Sequence, residues 1–112
     1  MTTSAQWHKQ VNQLALAGEV DFDNVVALLS EGESWLKSSA TSECVLDLAQ
    51  VVYSNSAGIA LIMGLHRRAR AVGKHLALEH VPANLVSMAR LGGLDWLLEI
   101  PRESNSGDAT NS

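Results

Sequence analysis

Cys44-Val45-Leu46-Asp47-Leu48, then Val51-Val52-Tyr53, then Ser54-Asn55-Ser56-Ala57-Gly58-Ile59-Ala60-Leu61 is the stretch that decides how this chain folds. Its first five residues form a short, almost continuously apolar run between polar loops, which predicts a central strand buried on both faces. Val51 to Tyr53 is a second apolar step. Ser54 to Gly58 then interrupts with hydroxyl and amide side chains. Beyond them, Ile59, Ile62, Met63, Leu65, Ala69 and Val72 mark one face of a helix whose other face carries Arg67, Arg68 and Arg70.

Upstream, Trp7 to Val11 and Gln13 to Val20 resemble two short strands, with Asn12 available for a tight turn, so an opening hairpin is expected. Asp21-Phe22-Asp23-Asn24 offers capping oxygens. Val25, Leu28, Leu29, Gly32, Trp35 and Leu36 follow at helical spacing, predicting a helix over about Asp23 to Lys37. Downstream, Gly73-Lys74 ends the second helix and His75 to Val81 reads as a strand. Pro82 opens a third, short helix through Leu85, Met88 and Ala89 that stops at Gly92-Gly93. Leu94 to Ile100 fits either a last strand or a short amphipathic turn. This alternation predicts a single α/β domain over residues 6–101, with a mixed, mostly parallel sheet, an N-terminal β-hairpin and about three flanking helices. Residues 1–5 are an N-terminal extension. Residues 102–112 follow Pro101 without hydrophobic period and are expected to be a disordered tail.

The chain has 112 residues, room for one ordinary domain, and its 46% hydrophobic and 18% charged content belongs to a packed protein. Aromatics are only 4%, so Leu, Val and Ile must supply the core. A net charge of −4 opposes the counterion release that drives binding to nucleic acid or anionic lipid, which weighs against either as a direct partner. The sole cysteine, Cys44, has no intramolecular disulfide partner and fits a reducing, cytoplasmic setting. Neither a signal peptide nor an apolar run of membrane-spanning length is visible, so no direct membrane insertion is expected.

The residues also argue against catalysis. Gly73-Lys74, the one Gly-Lys pair, is followed by His75 and ends a helix instead of opening one, unlike a phosphate-binding loop. His8, His66, His75 and His80 fall on different elements without metal-ligand spacing, and read as surface or strand-edge imidazoles. Asp47, inside the central strand, is expected to be a paired structural acid, a strand-end site being the alternative. No nucleophile, base and orienting group stand at recognisable spacing, and no cofactor is implied. Ser54, Asn55 and Ser56 sit where free backbone N–H groups and the positive helix end favour an anion, though from spacing alone a simple helix cap is the expected reading of polar residues there. Trp35 and Trp96 are expected in the core, with interface anchoring as the alternative, and Met63 and Leu65 are core at helical spacing. The acidic first helix (Asp21, Asp23, Glu31, Glu33) and the basic second one suggest opposite sides of unlike potential.

Leu16-Ala17-Gly18-Glu19-Val20-Asp21, the first helix, Val45-Leu46-Asp47-Leu48-Ala49 and Tyr53-Ser54-Asn55-Ser56-Ala57-Gly58-Ile59-Ala60-Leu61 together resemble a STAS domain, the fold of anti-sigma factor antagonists, over about residues 6–100. In that family the turn after the central strand commonly reads Asp-Ser-Ser-Gly or Asp-Thr-x-Gly, and the hydroxyl residue before the helix is the regulatory, often phosphorylated, position. Ser56 and Gly58 match this pattern. Asn55 stands where the acid usually is, which removes a charge that helps position a phosphate, and Ala57 stands where many antagonists have a second serine.

The compact single-domain form is most similar to the small STAS subunits of Mla-type ABC transporters, which move phospholipid to maintain outer-membrane lipid asymmetry in Gram-negative bacteria. That resemblance implies a non-enzymatic, cytoplasmic subunit that docks directly on the ATPase subunit and reaches the permease through the complex. It implies Ser54, Asn55 and Ser56 as contact residues, with Arg67, Arg68 and Arg70 as further candidates. A phosphorylation-switched anti-sigma factor antagonist is the alternative, and an anion sensor a third.

Overall fold

The computed structural model describes residues 5–98, so residues 1–4 of the expected extension and the whole expected tail lie outside the described residues. Strands β1 (Ala5–Lys9) and β2 (Gln13–Val20) pair antiparallel with Trp7 opposite Leu16 and Lys9 opposite Leu14. The Gln10 N–H donates to the Gln13 carbonyl (2.8 Å), closing the hairpin two residues before the predicted strand end. Val11, expected as the last strand residue, instead lies in the turn with 77% of its surface exposed. The alternation sets this limit: the Trp7 indole points to the helices, donating to the Leu28 carbonyl (3.0 Å), and Lys9 is the last residue with a partner opposite.

Strand β3 (Glu43–Ser54) is a single element of 12 residues, where two apolar steps were expected. It runs parallel to β2 and to β4 (His75–Glu79), giving a four-stranded sheet in the order β1-β2-β3-β4. The pairing with β2 slips between Ala15 and Ala17 and again between Gly18 and Glu19, so β3 continues through exposed Gln50 and Val52 while Ser54 returns to the interior. Bulges of this kind re-aim side chains without ending the ladder. The expectation that Cys44 to Leu48 is buried on both faces is corrected: Cys44, Leu46 and Leu48 are buried, but Val45 and Asp47 between them are half-exposed. The run is nearly all apolar because a valine on an uncovered face costs little.

Helices α1 (Val25–Ser38), α2 (Ala57–Ala71) and α3 (Ala83–Leu91) cover the other face, followed by the short helix α4 (Asp95–Leu98), which resolves the ambiguous stretch as far as Leu98. Leu14, Leu16, Leu46, Leu48 and Leu76 from the sheet meet Leu28, Leu36, Leu61, Ile62, Leu65, Leu85 and Leu97 from the helices. Each such side chain contributes roughly 1.5–3 kcal/mol when fully buried. Helix α1 begins two residues later than predicted because Asp21 and Asn24 are engaged before it: Asp21 Oδ1 accepts the N–H groups of Asp23 and Asn24, and Asn24 Oδ1 accepts that of Asp21 (3.0 Å).

Both predicted glycine stops hold. At the end of α2 the Lys74 N–H reaches the Ala69 carbonyl and the Gly73 N–H that of Arg70, with Gly73 at φ 73°. Gly93, also at φ 73°, repeats the pattern after α3. This paired 6→1 and 5→2 bonding satisfies the carbonyls that a helix end leaves bare.

Helices α1 and α2 are direct neighbours, so the charges expected on opposite sides of the domain instead face each other. The Arg68 Nε donates to Glu33 Oε1 (3.2 Å) across the contact. Small residues permit the approach: a Cβ on Gly32 would stand 2.6 Å from a Leu65 methyl, and one on Gly64 2.8 Å from a Leu29 methyl. Arg68, helped by Lys37 and opposed by desolvation, holds the Glu33 carboxyl below its ordinary pKa. The pair is solvent-exposed, so it orders the surface more than it stabilises the fold.

Candidate functional site

The polar turn from β3 into α2 is built from three residues in three environments. Ser54 is buried (2% exposed), its hydroxyl donating to the Asn55 carbonyl (2.8 Å) while its own carbonyl accepts from the Asn84 amide at the start of α3 (2.8 Å). Asn55 is half-buried. Its N–H donates to the Val20 carbonyl (3.3 Å), tying the turn to the end of β2, and its Oδ1 accepts the Ala57 N–H (2.8 Å). Asn55 therefore does the capping, whereas Ser56, at the N-cap position itself, makes no side-chain cap bond and is exposed. The Gly58 N–H goes to the Asn55 carbonyl, and those of Ile59 and Ala60 go to the Ser56 carbonyl. The donors that an anion would use at this helix start already have acceptors.

The three residues are thus brought together, but only Ser56 is exposed. Below it on α2, Ala60, Arg67 and Arg70 are exposed and Met63 half-exposed. At 100° per residue these positions share one stripe with Ser56. Arg68 lies to one side, held by Glu33 and by the Gly64 carbonyl (3.1 Å). Among the described residues, Arg67 and Arg70 have no acidic partner.

Further exposed apolar residues stand on the neighbouring elements. Phe22 (64% exposed) lies in the loop before α1, Val26 (75%) in its first turn, and Tyr53 (54%) one residue before the end of β3. Neither Phe22 nor Val26 was anticipated, although Val26 sits off the apolar row of α1, which was the available signal. Trp96 was expected in the core; it is half-exposed instead, with its ring edge-on to His66 (centroids 5.6 Å apart). Trp35 is buried as expected, its indole donating to the Gln10 carbonyl (3.1 Å).

His66, read from sequence as a surface imidazole, is half-buried and its Nδ1 has no partner among the described residues. Desolvation, followed by the nearby charges of Arg70 and His75, lowers its pKa below the usual 6.5. In the window from about 6.5 downward the unfolded chain binds a proton that the folded one refuses, so stability falls as pH drops through that range. His66→Phe, which keeps the contact with Trp96, is expected to flatten the profile of thermal midpoint against pH between 7.5 and 5.5. Parallel profiles would deny His66 that role.

Asp47 is the paired acid that was expected. Its Oδ1 meets His80 Nδ1 (2.9 Å) and accepts the Ala49 N–H (3.0 Å), while Oδ2 accepts from the Gln13 amide (3.4 Å). Among the described residues no cluster of His, Cys, Asp and Glu is arranged to hold a metal ion, and no helix is long and apolar enough to cross a membrane.

Residues 3–99 match a family model described as "Mlab, STAS domain". The chain is 30% identical over 94 residues to the intermembrane phospholipid transport system binding protein MlaB of Escherichia coli (strain K12), covering 84% of this chain and 93% of that protein; its Shigella flexneri counterpart matches equally. Among solved structures, the unphosphorylated anti-sigma factor antagonist SpoIIAA superposes with a TM-score of 0.65 at 14% identity, covering 97% of this chain and 88% of that one. The last likeness is one of fold, whereas the first two extend to sequence across the strand-to-helix turn and nearly the whole domain. On both counts the chain belongs to the STAS-domain family, in the group described as MlaB.

Proposed function

We propose that this chain is a non-catalytic STAS subunit that binds and supports the ATPase of an Mla-type ABC transporter maintaining outer-membrane phospholipid asymmetry. It works in the cytoplasm, peripheral to the inner membrane, and meets the permease through the complex. The observation that carries this reading is the 30% identity to MlaB proteins, named for an intermembrane phospholipid transport system, over most of both chains. The site supports it as a surface for touch: Ser56 stands free at the rim, Asn55 and buried Ser54 hold the turn in shape, and the arginines of α2 continue the surface.

Ser56→Asp tests the site. A carboxylate at the start of α2 suits the helix dipole, so the fold is expected to survive unchanged. The same charge would lose its water on docking, and binding to the purified ATPase subunit is expected to weaken by about tenfold or more. Equal affinity of the variant and the wild type in a titration would remove Ser56 from the interface.

A second reading, a serine-phosphorylated anti-sigma factor antagonist, is favoured by the exposed Ser56 hydroxyl at the position the family modifies. It requires a phosphate on Ser56 in protein isolated from cells, which intact-mass measurement detects. Unmodified protein that co-purifies with a transporter ATPase decides for the first reading.

A further inference from the structure

Three observations along α2 bear on what the ATPase must present. Ser56, Ala60, Met63, Arg67 and Arg70 form one solvent-facing stripe, about 21 Å long at 1.5 Å per residue. Its upper half is small or apolar and its lower half cationic. Helix α1 lies along one side: Leu29 packs over Gly64 and Glu33 binds Arg68, which puts Val26, one turn earlier, level with Ala60. The other side carries half-exposed Trp96 against His66.

The charges within this surface are unbalanced in a specific way. Glu33 is committed to Arg68 and Lys37, and among the described residues no other acid reaches α2. Arg67 and Arg70 consequently face solvent at the lower end, on the same helix as His66, which Trp96 meets edge-on. Arginine and tryptophan are the residue types that most often dominate interfaces, and a patch of one sign selects a partner of the other.

Resting on the reading above, we propose that the docking element of the ATPase is an acidic amphipathic segment. Its apolar residues seat on Val26, Ala60, Met63 and Trp96, and its carboxylates pair with Arg67 and Arg70. The apolar half supplies burial and the arginines supply orientation, since only one direction along α2 brings acids to the lower end. Ionic steering of this kind appears chiefly in the association rate and is screened by salt.

Association of the intact chain with the purified ATPase subunit is to be measured at low and high salt. Comparison is with Arg67→Glu/Arg70→Glu, with the milder Arg67→Gln/Arg70→Gln, and with Arg90→Glu, an exposed arginine on α3 outside the stripe. The wild type is expected to associate more slowly as salt rises. The Glu pair should lose about tenfold in rate at low salt and most of the salt dependence, the Gln pair an intermediate amount, and Arg90→Glu little. The Gln pair keeps the experiment decisive if charge reversal disturbs α2. Wild-type binding that Ser56→Asp impairs but both arginine pairs leave untouched overturns this inference alone. A wild type that does not bind the ATPase overturns the proposed function and the inference with it.

Discussion

Gly58→Val is expected to lower the thermal unfolding midpoint by roughly 10–15 °C, which corresponds to about 2 kcal/mol for a domain of this size. A Cβ at Gly58 would stand 2.2 Å from Ser54 Oγ, with the two Leu85 methyls at 3.1 and 3.2 Å. Ser54 has nowhere to retreat, because it is buried and its hydroxyl and carbonyl are both engaged. The void beside it, lined by Leu16, Val20, Leu48 and Leu61 among others, measures about 10 Å³, room for one water but not for three added carbons. Losing a helical glycine returns less than about 0.5 kcal/mol, too little to offset the clash. Differential scanning fluorimetry checks this against Ala27→Val, an exposed position on α1. A midpoint within about 2 °C of wild type would mean that Ser54 and Leu85 yield more easily than their contacts indicate.

Leu46→Ala is expected to cost more, about 2–5 kcal/mol, a large share of the roughly 5–15 kcal/mol that holds a domain folded. Leu46 is wholly buried at the centre of the sheet, opposite Leu14 on one side and Leu78 on the other. Removing its three outer carbons leaves a cavity that backbone held on both sides cannot close. Its neighbour Val45 points to the uncovered face, so Val45→Ala should cost only about 1 kcal/mol or less. Urea unfolding with unchanged slope gives both differences. Equal losses at the two positions would contradict the one-sided burial of β3.

What composition and spacing disclosed was the part of the fold governed by local chemistry. Helix α2 followed from its apolar period, both glycine stops from the need for a left-handed residue after a helix, and the polar turn from its capping side chains. The alternation of elements also disclosed the mostly parallel sheet and its antiparallel hairpin, but the details of pairing and packing across the chain stayed hidden. Ala49-Gln50 looked like a break in β3 because its pairing slips against β2 cannot be inferred from β3 alone. Ser54, polar by type, is buried because the carbonyl of its own neighbour satisfies it and Gly58 leaves it space. The acid and the arginine of neighbouring helices meet only because Gly32 and Gly64 let α1 and α2 approach. Within the site, Ser56 was legible from its motif and Trp96 only as an alternative to core packing, whereas Val26 emerges beside α2 only once the helices are in place.

Strands β1 to β4 stand side by side in the order in which a ribosome would release them. Each newcomer finds its neighbour already made, and no later segment has to insert between two earlier ones. Loop-closure entropy is then spent in small instalments, so nucleation does not wait for distant parts of the chain. Among the described elements α3 and α4 arrive after the sheet is complete, and they bring Asn84 to the Ser54 carbonyl and Trp96 to His66. A nascent chain therefore holds the polar turn without its Asn84 tether, and His66 without its aromatic neighbour, until α3 and α4 have emerged.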